Sequence, residues 1–172
     1  MGDAEAGGKA YKMIVFRKGE HADAAMLSRL RRQVWDETYR GIYPDEVIDD
    51  YDFSLNEEGF IKKILNRDME MFVIEDGKTP VGYFSFIHSD RVHVMQLYLL
   101  RSHRGRGTGK TALDIARSYC KEHGVTHYTV NCNEHNLPAR GFYEHMGGVI
   151  TAVDGGHADR REDQVTYRFE VL

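Results

Sequence analysis

Long apolar runs are missing from this 172-residue sequence. The longest are strand-sized, which excludes a membrane-spanning helix. The opening stretch "MGDAEAGGKA" lacks the apolar centre of a signal peptide, and residues 1–11 are expected to form a flexible tail. Cysteine is scarce: Cys120 and Cys132 are the only two. That excludes a disulfide-stapled scaffold and points to a reducing cytoplasm. Neither sign of charge dominates, and a net charge of −4 speaks against a nucleic-acid partner. Internal repeats and low-complexity segments are also missing. What is present is an ordinary globular composition, in a chain long enough for one domain with a real core, expected over residues 12–172.

Hydrophobic periodicity divides that domain into elements. "MIVFR", from Met13, has the pattern of a strand. Met26, Leu27, Leu30, Val34 and Trp35 then recur at helical spacing, with Asp23 near the helix start. Pro44 marks the start of a short second helix. A third helix is expected over residues 54–67, with Ser54 as N-cap and Glu57 closing a capping box. Leu55, Ile61, Ile64 and Leu65 would form its apolar side. "MEMFVIED" and "VGYFSFIHS" flank an Asp-Gly turn and read as a hairpin. "RVHVMQLYLL" is the next strand. A helix over 108–123 follows, with Ala112, Leu113, Ala116, Tyr119 and Cys120 as its buried stripe and Gly124 as its stop. "THYTVNCN" is a strand, "LPARGFYEHM" a helix, and "VITAV" and "VTYRFEVL" are terminal strands. The strand-helix-strand segment after Val92 requires a parallel pair with a right-handed crossover. The expected class is α+β: a mixed, mostly antiparallel sheet of about seven strands with helices on both faces.

Between an apolar strand and a helix lies "RGRGTGK", starting at Arg104. Three glycine-loop designs are candidates. The NTPase P-loop needs a glycine where Arg104 stands, so only its second half, Gly109-Lys110-Thr111, fits. The dinucleotide fingerprint needs a third glycine where Lys110 stands. The pattern R/Q-x-x-G-x-G/A is satisfied in full by Arg104, Gly107 and Gly109. That loop resembles the acetyl-CoA loop of the GNAT superfamily of N-acetyltransferases. Downstream, Asn136, Ala139, Phe142, Tyr143 and Gly147 match the superfamily's N-x-x-A-x-x-F-Y-x-x-x-G, in the expected order. The resemblance covers residues 13–172.

The resemblance implies an enzyme that moves an acetyl group from acetyl-CoA, its co-substrate, to a primary amine by direct attack in a ternary complex. Backbone amides of Gly105, Arg106, Gly107, Thr108, Gly109 and Lys110 would hold the pyrophosphate at a helix N-terminus, with Arg104, Arg106 and Lys110 adding charge. Backbone groups of Leu97, Tyr98 and Leu99 would pair with the pantothenate arm. Asn136 would cap its helix or bond that arm. Tyr143 is the implied acid for the departing thiolate, against the alternative of a core tyrosine with a satisfied hydroxyl. Some members carry a basic glutamate on the strand before the loop. Counting back from Arg104 places His93 there, so a titratable group is kept, and a histidine suits proton removal near neutrality. The alternative is a histidine satisfied by a neighbour.

The acceptor side would fall on Trp35, Tyr39 and Tyr43 among Asp36, Glu37, Asp45 and Asp49. Aromatic walls with carboxylates suit a cationic amine, small molecule or peptide; a solvated acidic face over core aromatics is the alternative. A homodimer is compatible with this picture, and neither a membrane nor a nucleic acid is expected as partner. Cys120-x-x-His123 and Cys132-x-x-His135 mimic zinc-ligand spacing, but two core-type cysteines beside solvated histidines account for them better, and no metal is expected. Two rivals remain: a non-catalytic acyl-CoA-binding or sensing domain on the same fold, and a P-loop NTPase.

Overall fold

The computed structural model describes residues 13–171, so the tail expected over 1–11 lies outside the described residues. Strand β1 (Ile14–Lys18) leads through a short 3₁₀ turn into α1 (Ala24–Tyr39). Helices α2 (Asp45–Asp49) and α3 (Phe53–Leu65) follow, then strands β2 (Met69–Asp76), β3 (Thr79–Ile87) and β4 (His93–Leu99). The second half runs α4 (Thr108–Glu122), β5 (His127–Asn133), α5 (Leu137–His145), β6 (Val149–Asp154) and β7 (Gln164–Glu170). The strands form one seven-stranded sheet in the order β1-β2-β3-β4-β5-β7-β6. Every pairing is antiparallel except β4 with β5. This is the mixed α+β sheet expected from the sequence.

Helices cover both faces. On one, Phe84, Phe86, Val94, Tyr128, Tyr167 and Phe169 pack against Ala112, Leu113, Ala116 and Cys120 of α4 and Tyr143 of α5. On the other, Leu27, Leu30 and Val34 of α1 and Phe60 of α3 cover Val73 and Tyr83. Of the expected α4 stripe, Ala112, Leu113, Ala116 and Cys120 are therefore buried and Tyr119 partly so, and Gly124 ends that helix with φ 68°, where only glycine is unstrained. The β2–β3 hairpin turns at Gly77, which also takes a positive φ of 67°. Arg17 of β1 ties its neighbours together, donating to Asp23 at 2.9 Å and to Glu75 of β2 at 2.9 Å. No helix among the described residues is long and apolar enough to cross a membrane.

The start of α3 differs from expectation. Asp52, not Ser54, is the N-cap: its side chain accepts a hydrogen bond from the Leu55 N–H at 2.8 Å. Ser54 thus lies inside the first turn, and the capping box with Glu57 does not form. The buried side runs through Phe60, with Ile61 and Ile64 packed beside it. Leu55 and Leu65 are exposed.

Candidate active site

Strands β4 and β5 pair only at His93↔Thr129 and Val94↔Val130. Beyond those residues they part, while each keeps its outer partner: β4 stays on β3 and β5 on β7. The gap opens a cavity of about 570 Å³. Leu97, Tyr98 and Leu99 of β4 form one wall, Asn131 and Cys132 of β5 another, and α5 contributes Ala139, Phe142 and Tyr143. The glycine loop and the start of α4 close one end. Part of the edge of β4 is left without a neighbouring strand, as an extended ligand arm would require.

The loop is shaped by two left-handed glycines, Gly105 at φ 72° and Gly107 at φ 82°. Gly107 is the N-cap of α4 and brings no side-chain cap. The first intrahelical bond is Thr111 N–H to Gly107 C=O at 3.1 Å. The amides of Thr108, Gly109 and Lys110 therefore have no partner within the helix, and with the helix dipole they form an anion site. Gly109 has a packing reason as well. A Cβ there would stand 2.8 Å from Phe142 Cζ, so the missing side chain lets that ring pack directly on the start of α4.

The charged residues of the loop do different things. Arg104 lines the cavity, but its Nε donates to the Leu99 carbonyl at 3.0 Å and its Nη2 to Thr38 Oγ1 at 2.9 Å. It braces the loop against β4 and α1, and burial lowers its pKa. Lys110 lines the cavity too, with its ammonium turned to Asp114 at 2.7 Å. Arg106 and Thr108 are not part of the wall; the Thr108 side chain is buried.

Across the cavity, Asn136 caps α5, accepting from the Ala139 N–H at 3.3 Å. Tyr143 is 5% exposed. Its ring packs beside Phe142, Tyr167 and Phe169, and its hydroxyl has no hydrogen-bond partner among the described residues. Burial, with Cys132 and Tyr98 nearby, pushes its pKa far up, so the phenol stays protonated. His93 stands at the closed end, where the strands still pair. The cavity wall begins one residue later, at Val94. His93 Nδ1 is 2.7 Å from Thr129 Oγ1, and burial lowers the pKa of the ring.

Of the three aromatics expected on the acceptor side, Tyr39 lines the cavity, with its hydroxyl 3.0 Å from that of Tyr98. Tyr43 stacks on Tyr39 at 4.2 Å and lines a second hollow between residues 41–45 and Ala158, Asp159 and Arg160. Trp35 lies edge-on against both tyrosines, behind the cavity. The carboxylates around them are occupied. Asp36, Asp45 and Asp49 all bind the Arg40 guanidinium, and Glu37 accepts the Arg101 N–H at 2.7 Å. Cys120 is buried in the core as expected. Cys132 is partly buried against the core and also lines the cavity, its thiol pKa pushed up to about 11 by burial. His135 is likewise not merely solvated, since it bonds Asp163.

A split parallel pair with a glycine-capped helix N-terminus at its mouth has the shape to take a phosphate-bearing ligand with an extended arm. Comparison with known proteins gives the class its particular family. A model of the Acetyltransferase (GNAT) family matches residues 29–148, and the chain belongs to that family. It is an acyltransferase, which sets aside both the NTPase and the non-catalytic alternatives. The spermidine N(1)-acetyltransferase of Thermoplasma acidophilum is 24% identical over 148 residues, covering 83% of this chain and 92% of the relative. A probable N-acetyltransferase of Mycobacterium tuberculosis is 26% identical over 137 residues, covering 76% of this chain and 77% of the relative. Among solved structures, the PaiA N-acetyltransferase of Thermoplasma acidophilum in complex with coenzyme A superposes with a TM-score of 0.80. That alignment is 22% identical and covers 92% of this chain and 99% of the other. An acetyltransferase from Thermus thermophilus gives 0.71 at 18% identity, covering 93% of this chain and 98% of the other.

Proposed function

We propose that the chain transfers the acetyl group of acetyl-CoA to a primary amine by direct attack within a ternary complex. The observation that carries this is the cavity itself, with free helix amides at one end and an unbonded, protonated tyrosine hydroxyl on its wall. Gly105, Gly107, Thr108, Gly109 and Lys110 hold the pyrophosphate through backbone amides, and Arg106 and Lys110 add charge. Arg104 keeps the loop in shape. The open edge of β4 at Leu97, Tyr98 and Leu99 takes the pantetheine arm as an extra strand. One of its amides polarises the thioester carbonyl, a contribution of roughly a hundredfold or more in rate for a preorganised donor. Asn136 fixes the start of α5, and Tyr143 gives its proton to the departing thiolate.

The amine's proton leaves by a water-linked route. His93 lies one residue beyond the wall with Nδ1 engaged by Thr129, which leaves Nε2 as the free ring nitrogen, an acceptor when Nδ1 carries the proton. The lowered pKa keeps the imidazole neutral and ready to accept. The acceptor enters past Tyr39, from the hollow beside Tyr43. The relative from Thermoplasma acidophilum is named for spermidine. Here Asp36, Asp45 and Asp49 are spent on Arg40, which favours a single amine on an aromatic wall over a polycation. We place the reaction in the cytoplasm. Following thiol release from acetyl-CoA against monoamines, spermidine and a peptide N-terminus tests the proposal. Acceptor-dependent release with a monoamine or the peptide is expected, and no acceptor-dependent release with any of them would overturn it.

A further inference from the structure

His135 belongs to a group that the transfer reaction does not use. Glu134 and His135 follow β5, and Asp163 precedes β7. One ligand atom from each of the three lies within 4.8 Å of the others. His135 Nε2 is 2.7 Å from Asp163 Oδ2. Asp163 is 3% exposed, and its other oxygen accepts from the His157 backbone N–H at 2.9 Å and lies 2.8 Å from His157 Nδ1. The supports extend outward. The His135 backbone N–H donates to Asn133 Oδ1 at 2.9 Å, and Asn133 Nδ2 donates to the Arg160 carbonyl at 2.7 Å. Both segments are thus held in register by contacts outside the triad.

A plain histidine–carboxylate hydrogen bond explains the 2.7 Å contact. It does not explain Glu134. That carboxylate has no hydrogen-bond or ion-pair partner among the described residues, yet it sits in the same small volume. A Cβ on Gly155 would stand 2.3 Å from Glu134 Oε2, so the carboxylate lies directly over the bare glycine backbone. We infer that Glu134, His135 and Asp163 form a binding site for one divalent transition-metal ion. Ligands on one ion at about 2.0–2.2 Å stand roughly 3 Å apart, close to the observed His135–Asp163 separation. The ion replaces the shared proton of that pair, and the Glu134 carboxylate closes on it from within 4.8 Å. One imidazole with two carboxylates suits borderline ions such as Zn²⁺ or Co²⁺, whereas Mg²⁺ and Ca²⁺ prefer all-oxygen sites. Bound there, the ion clamps the loop between β6 and β7 to the turn that starts α5, whose cap Asn136 lines the cavity.

The test uses the full chain without an affinity tag, stripped with EDTA and titrated with ZnCl₂ by calorimetry and with CoCl₂ by visible absorption. One ion per chain is expected, with a Kd of about 10 µM or tighter and ligand-field bands from Co²⁺. Glu134→Gln and His135→Gln should each weaken binding roughly tenfold or more. Millimolar Mg²⁺ should leave the Co²⁺ spectrum unchanged. Absence of both Zn²⁺ heat and Co²⁺ bands overturns the site. So does full affinity in His135→Gln, which would assign the ion to other histidines. Should His135→Gln fail to fold, Glu134→Gln decides, because its side chain holds nothing else in place.

Discussion

Tyr143 combines a ring locked by packing with a hydroxyl that none of the described residues hydrogen-bonds. Tyr143→Phe keeps the ring and removes the proton donor. It should lower kcat by about a hundredfold and leave the KM for acetyl-CoA nearly unchanged, as steady-state kinetics will report. Unchanged turnover would make Tyr143 a packing residue. His93 makes a pH-dependent counterpart. Because burial lowers its pKa, the protonated, inactive form accumulates only below the ordinary histidine value of about 6.5. The acidic limb of kcat/KM should therefore lie below that pH, stay put when the acceptor's own pKa is changed, and disappear in His93→Gln. A limb that moves with the acceptor assigns it to the amine. That Gly105, Gly107, Gly109 and Tyr143 line one cavity was legible in the sequence, because motif spacing groups them without knowledge of the fold. Cys132, Thr38 and the Tyr39–Tyr98 hydroxyl pair were not. Cys132 and Tyr98 face the cavity because β4 and β5 separate, and alternation along a strand does not say where its pairing stops; Thr38 and Tyr39 reach it from the end of α1, a contact that helical spacing does not reveal. A bulge opposite Ser85 and Phe86 also breaks the alternation of β4, so counting along it gives His93 its place but not its facing.

Elements were read well wherever a side-chain period or a glycine stop marked them, as for α4 with its stripe and Gly124. The start of α3 shows what local pattern misses. Asp52 and Ser54 are both good caps, and the choice went to Asp52, which buries Phe60 between α1 and the sheet. Close approach between strands was equally silent. Gly82 reads as a weak spot in a strand, but a Cβ there would meet the Tyr98 carbonyl oxygen at 2.3 Å and Leu99 Cδ2 at 2.8 Å. The backbone cannot yield as a flexible side chain would. Gly82→Ala should cost about 3 kcal/mol, a drop in Tm of roughly 6–12 °C for a chain of this size. It should also weaken CoA binding, since the displaced strand is the wall of the cavity. A variant with wild-type Tm would mean that β3 and β4 slide apart freely. At the other edge, Arg17 holds the carboxyl of Asp23 below its ordinary pKa. A depressed carboxylate adds stability that is present above its unfolded pKa of about 4 and fades as the pH falls below it. Asp23→Asn should lower Tm at pH 7 and narrow its deficit on acidification from about pH 5 to 3, which thermal melts across that range will check.

At the scale of the whole molecule, the parallel crossover was legible from strand-helix-strand order, but the sheet order was not. Strand β7 enters between β5 and β6 and so leaves β6 at the edge. That choice depends on which strands shed the most apolar surface together, a property of the assembled sheet and not of any segment. The cavity likewise belongs to the assembly: two strands, three helices and one loop each supply a part, and none is a site alone. Ligand binding should therefore stabilise the fold as a unit. A ligand at a hundred times its Kd adds about 2.7 kcal/mol, so saturating CoA should raise Tm by roughly 5–11 °C. ATP with magnesium should not. The loop can be tested within the same measurement. Gly107 has φ 82° and open space around its Cβ position. Any side chain there meets backbone strain of about 1–2 kcal/mol, but only an acidic one also opposes the pyrophosphate. Gly107→Ala and Gly107→Glu should thus share a similar loss of apo stability. With CoA added, Gly107→Ala should recover a shift close to that of the wild type, and Gly107→Glu should show almost none. Equal CoA shifts in the two variants would move the pyrophosphate away from this helix end. A vanished shift in both would mean that the loop conformation, and not its charge, is what the cofactor requires.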